Sequence, residues 1–98
     1  MIIVKRTYTP VAGASGLGEL LNQVNSNTVA AGMPELKIFR KFLGHHGVMV
    51  TMQTWGSLEV YEASRSNVRN TPKIREVFMK IYPLLAETHV TEIFEETS

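Results

Sequence analysis

Two hydrophobic rhythms alternate along the chain. Over residues 2–9, Ile2, Ile3 and Val4 are followed by Thr7, Tyr8 and Thr9, a β-branched and aromatic run that predicts a strand. Pro10 and Gly13 punctuate its end. Over 15–31 the period lengthens. Leu17, Leu20, Leu21, Val24, Thr28 and Ala31 recur at helical spacing and give one apolar face. Ser15 is the candidate N-cap, and Glu19 falls in the first turn, where a carboxylate suits the helix dipole. Gly32 fits the position after the helix, and Pro34 blocks continuation. Two strand-like runs, 35–43 and 48–55, flank Gly44-His45-His46-Gly47 and read as a hairpin. Ser57 caps a helix reaching about residue 67, with Leu58, Tyr61 and Val68 as inner residues. Thr71 and Pro72 restart a helix with the apolar stripe Ile74, Val77, Phe78, Ile81 and Leu85, which Pro83 should end or kink near Tyr82. Residues 89–94 alternate again and predict a last strand.

The order is β-α-β-β-α-α-β. At 98 residues it fits one domain spanning 1–98, an α+β ferredoxin-like split βαβ sandwich with helices on one face of a four-stranded antiparallel sheet. Composition narrows the picture further. A 44% hydrophobic content suits a globular chain. A net charge of +1 argues against nucleic acid as a partner, and no apolar run is long enough for a membrane span. With no cysteine there can be no disulfide, thiolate metal site or cysteine nucleophile. The N-terminus lacks the pattern of a secretory signal, so the expected location is the cytoplasm.

The hairpin tests whether the sheet's second face can stand in water. If Gly44 pairs with Gly47, Arg40 faces Thr51, Ile38 faces Gln53 and Leu36 faces Trp55. One face then holds Phe39, Lys41, Leu43, Val48, Val50 and Met52, which suits helix packing. The other holds Leu36, Ile38, Arg40, Phe42, Met49, Thr51, Gln53 and Trp55, too apolar for open water. A second copy of the same sheet is the simplest cover, so a homodimer is expected.

These features resemble the dimeric α+β barrel superfamily, in which two ferredoxin-like protomers pack their open sheet faces into one barrel. Arg6-Thr7-Tyr8-Thr9, followed by Pro10 and Gly13, is similar to the first strand and turn of NIPSNAP-like proteins. Gly47 through Trp55, then Ser57-Leu58-Glu59, is similar to their third strand and following helix. The Trp55-Gly56-Ser57 junction equally resembles the antibiotic-biosynthesis monooxygenase branch. That branch needs no cofactor or metal: its substrate carbanion reduces oxygen once a base has removed a proton. The resemblance implies His89 or Tyr8 as the base, with Arg40, Trp55, Tyr61, Gln53 and Arg6 as substrate-binding residues around a barrel cavity.

Each candidate has a plainer reading. Arg40, among apolar neighbours, needs a carboxylate, a carbonyl or an anionic ligand; its plainer readings, slightly ahead of a ligand anchor, are an ion pair between subunits or an edge-strand arginine snorkelling to water. Lys5 and Arg6 point to opposite faces of their strand, and helix packing would reject either, so one should reach the barrel or its rim. Trp55, Tyr61 and Tyr8 also serve as ordinary packing aromatics. His45 and His46 are adjacent, so their side chains diverge and make poor joint ligands, while a metal or haem site would have to rest on His89 alone. Glu59 and Glu62 read as a solvated helix face. Gly13-Ala14-Ser15-Gly16-Leu17-Gly18 reverses the spacing of a dinucleotide loop and reads as a turn. The functional expectation is a homodimer binding a small apolar or aromatic molecule, with cofactor-independent oxygenation as its enzymatic form. The alternative is a ligand-binding or structural dimer without turnover.

Overall fold

A computed structural model describes residues 1–44 and 47–97. The elements run β1 (Ile2–Tyr8), α1 (Leu17–Ala30), β2 (Leu36–Arg40), β3 (Met49–Trp55), α2 (Leu58–Arg69), α3 (Pro72–Ile81), a 3₁₀ turn over Tyr82–Leu84, and β4 (Val90–Glu95). The strands form one antiparallel sheet in the order β2-β3-β1-β4, so β3 lies between the two strands that α1 connects. This is the α+β ferredoxin-like sandwich that the element order predicts.

The helix ends show local chemistry at work. After α1, Gly32 takes φ +83°, its N–H bonds Val29 C=O, and the Met33 N–H bonds Thr28 C=O. That is a Schellman closure, which favours glycine because a Cβ is strained there. The N-cap of α1 is Gly16 at φ +90°, not Ser15, and it offers no side-chain cap. The glycine-rich stretch is therefore a turn into the helix. Ser57 caps α2 as expected, its hydroxyl accepting the Val60 N–H at 3.2 Å. Thr71 is the N-cap of α3, but its hydroxyl donates to the Asn67 carbonyl at 2.6 Å instead of capping. Pro83 ends α3 as predicted, leaving the single 3₁₀ turn.

Two expectations for the hairpin are corrected. Arg40 pairs with Met49, not Thr51, and Leu36 pairs with Gln53, not Trp55. The loop is wider than a tight turn, with Lys41 N–H closing onto Val48 C=O at 2.9 Å, and Phe42 and Leu43 stand outside the strand, Phe42 at 97% exposure. The expectation for His45 and His46 lies outside the described residues. A slip of two positions leaves each side chain on its original face, because strands have period two.

The second correction concerns which face the helices cover. They cover the face carrying Leu36, Ile38, Thr51, Gln53 and Trp55, joined by Ile2, Val4, Arg6 and Tyr8 of β1. The face with Phe39, Val50 and Met52, continued by Ile3, Lys5 and Thr7, is the open one. The reason is volume and satisfied polarity. Leu36, Trp55 and Tyr8 are the large buried groups, and the buried Gln53 finds a partner beneath the helices, its Nε2 donating to Pro34 C=O at 2.7 Å.

The core forms two groups. Tyr8, Leu17, Leu21, Val24, Leu36, Val77 and Ile81 make one; Ile2, Val4, Met33, Trp55, Tyr61 and Ile74 make the other. Phe78 packs against both.

Candidate functional site: a cavity between sheet and helices

Between the two core groups lies a cavity of about 530 Å³. Its floor is the sheet, through Arg6, Tyr8, Gln53 and Trp55. Its walls come from α1 (Val24, Thr28), α2 (Tyr61, Arg65, Val68) and α3 (Ile74, Phe78), with Tyr82 and His89 completing them. The volume falls in the range of small-molecule sites, and mostly apolar walls with a few convergent polar groups fit that class. The cavity belongs to one protomer's sandwich. Gln53 and Trp55, expected on the open face, lie instead on the helix-covered side with Arg6.

The polar groups are held by aromatic packing. Arg6, on a strand face otherwise apolar, is half-buried, and its Nη2 donates to the Tyr61 hydroxyl at 2.9 Å. Arg65 lies one helical turn beyond Tyr61 and sets its guanidinium over the same ring, 5.5 Å from the centroid. Tyr61 meets Trp55 edge-on, with centroids 5.7 Å apart and planes at 65°. The Trp55 indole Nε1 is buried with no hydrogen-bond partner among the described residues.

His89 sits just before β4 in an aromatic frame. It stacks on Tyr82 with planes 6° apart and approaches Tyr8 at 5.2 Å. Its Nδ1 is buried and likewise lacks a partner among the described residues. Burial holds the imidazole below its ordinary pKa of 6.5, and the charges of Arg6 and Arg65 press the same way. The ring is therefore neutral at pH 7. Tyr8 is 2% exposed, and burial raises its phenol above 10.0, the Arg6 charge and a hydrogen bond with the Thr51 side chain only partly opposing it. Tyr8 stays protonated near neutrality and can donate a hydrogen bond. Of the two expected bases, only His89 is unprotonated near neutrality.

Six of the seven expected site residues meet at this cavity: Arg6, Tyr8, Gln53, Trp55, Tyr61 and His89. Gln53 does so with its amide N–H already engaged by Pro34. Arg40 is the correction. It is exposed at the end of edge strand β2 and does not line the cavity, so neither burial nor apolar neighbours demand an anion beside it. Lys5 projects from the open face toward Glu92, Nζ to Oε1 4.0 Å. Arg65, Phe78 and Tyr82 were missed. The i, i+4 spacing from Tyr61 is the signal that would have found Arg65; nothing in the sequence marks the other two.

Crystal structures of known proteins share this architecture. An uncharacterized NIPSNAP domain protein from Burkholderia xenovorans superposes with a TM-score of 0.78 at 18% identity, covering 100% of this chain and 96% of that one. A NIPSNAP family protein from Agrobacterium tumefaciens gives 0.73 at 20% identity, covering 98% and 92%. An antibiotic biosynthesis monooxygenase gives 0.78 at 12% identity over 100% of both chains. The chain has their fold. The resemblance of the first strand and of the Trp55-Gly56-Ser57 junction thus extends through the whole chain. No protein-family model matches the chain, and no curated protein is similar to it.

Proposed function

We propose that this protein binds a flat, largely apolar small molecule in the cavity between its sheet and helices. One observation carries the reading: a cavity of about 530 Å³ is walled by the rings of Tyr8, Trp55, Tyr61, Phe78 and Tyr82, with the polar side chains of Arg6, Gln53 and His89 converging on it. Trp55 is the only tryptophan, so its fluorescence reports the site directly. Titration with bicyclic and tricyclic aromatics should quench it saturably. Absence of saturable quenching across such a panel would remove the reading.

His89 favours an enzymatic form of this function. A neutral imidazole, half-buried among rings, is suited to take an acidic C–H proton from an aromatic ketone such as an anthrone. The resulting carbanion would pass electrons to dissolved oxygen, with anthraquinone and water as products. Oxygen consumption in the presence of anthrone, lost in His89→Ala, is the expected result. Ligand quenching without oxygen consumption would assign the cavity to binding alone. The half-exposed Phe39, Val90 and Phe94 on the open face of the sheet support a homodimer as the working form.

A further inference from the structure

We propose that the cavity selects a flat aromatic carboxylate, with the ring between the aromatic walls and the carboxylate held by Arg6 and Arg65. The inference rests on the cavity being a ligand site and adds the charge of the ligand. Its basis is an imbalance of charge. Four arginines line the cavity (Arg6, Arg65, Arg69 and Arg75) against a single carboxylate, Glu76, although the whole chain carries only +1. Among the described residues, the only ion pair within 4.0 Å is Lys5 with Glu92, on the opposite face of the sheet. None of the four cavity arginines has a carboxylate within 4.0 Å among the described residues.

Arg6 and Arg65 are the informative pair. Both are half-buried, and both converge on Tyr61, Arg6 on its hydroxyl and Arg65 over its ring. Tyr61 positions each guanidinium but cancels neither charge. Two like charges fixed near one phenol repel each other, and half-burial weakens the screening by water that would relieve them. Both charges, after burial, also oppose protonation of His89 across the cavity. A carboxylate between the two would remove the repulsion and accept from planar guanidinium donors, the geometry for which arginine is better suited than lysine. The neighbouring wall of Trp55, Tyr8 and Phe78 suits a fused ring rather than an alkyl chain or a sugar.

The test uses 2-naphthoate and 2-naphthamide, which share shape and differ in charge. Calorimetry measures affinity, and Trp55 quenching places the probe. Naphthoate should bind at least about ten-fold more tightly than the amide, and the preference should shrink with added salt. Arg65→Gln should erase most of the preference, read as the ratio of the two affinities in the same variant. Arg6→Gln should do the same and provides a second variant should the first not fold. Equal affinity for the two probes would overturn the inference and leave the cavity as a neutral-ligand site. A preference that survives both substitutions would overturn it too, by placing the acid elsewhere. If neither probe quenches Trp55, the ligand-site reading fails and this inference with it.

Discussion

Tyr61 and Arg65 stand one turn apart on α2, and with Arg6 they make a site from residues that are far apart in the sequence. The same neighbourhood sets the protonation of His89, which yields a prediction at this scale. The folded protein holds His89 below its unfolded pKa of 6.5. As pH falls through 6.5, the unfolded chain gains a proton that the folded chain resists. The stability associated with neutral His89 is complete above 6.5 and is lost until pH reaches the lowered folded value. Urea denaturation between about pH 7.5 and about pH 5 should therefore show a steeper loss in the wild type than in His89→Phe, which keeps the ring. Identical slopes would mean that the imidazole titrates alike in both states. His89 was legible as a candidate because it is the one histidine outside the hairpin loop; its stacking partner Tyr82 was not, because a tyrosine before a proline carries no local mark of facing a cavity.

At the level of elements, the helix boundaries followed from local signals wherever a side chain could satisfy a backbone group by itself. Ser57 caps α2, and Ser57→Ala should cost about 1 kcal/mol in thermal or urea denaturation. Thr71 occupies the equivalent position of α3 but spends its hydroxyl on the Asn67 carbonyl. Thr71→Ala should therefore cost clearly less than Ser57→Ala. Equal costs would show that hydroxyl geometry does not separate the two caps. The hairpin register was less legible. Gly44 and Gly47 flank the loop and both take positive φ, which looks like a tight turn in sequence, yet the strands close two positions earlier. Loop width depends on how far the ladder can extend before Phe42 and Leu43 leave it, and a residue count does not supply that.

For the whole molecule, the open sheet face decides the expected state. Phe39, Val90 and Phe94 are about half exposed on it, at 46%, 52% and 48%, with Ile3, Val50 and Met52 between them. Half-exposed apolar groups of this kind, with the Lys5–Glu92 pair among them, favour burial against a second copy. Light scattering at micromolar concentration should give a dimer, and Phe39→Glu should shift it toward monomer without disturbing the cavity on the opposite face. A monomeric wild type would defeat the homodimer. Ligand binding and assembly are separable here, since cavity and open face lie on opposite sides of one sheet.

By itself, the sequence determined the order of elements, most of their boundaries and the ferredoxin-like class. Those depend on side-chain periodicity and on caps within a few residues of each other, which act through the local backbone. It also named six of the residues that meet at the cavity. Tertiary structure decided which sheet face the helices cover, and hence that Arg6 looks inward; Arg40 shares that face but stays exposed because it ends the edge strand β2. Both faces of β2 and β3 are partly apolar, so alternation alone leaves the choice degenerate. The degeneracy is lifted only by the pairing of β1 with β3, which sets Val4 beside Gln53 and Tyr8 beside Met49, and by helices that fit over the larger buried groups. The cavity arises from the same step, as the space left where two core groups meet without closing.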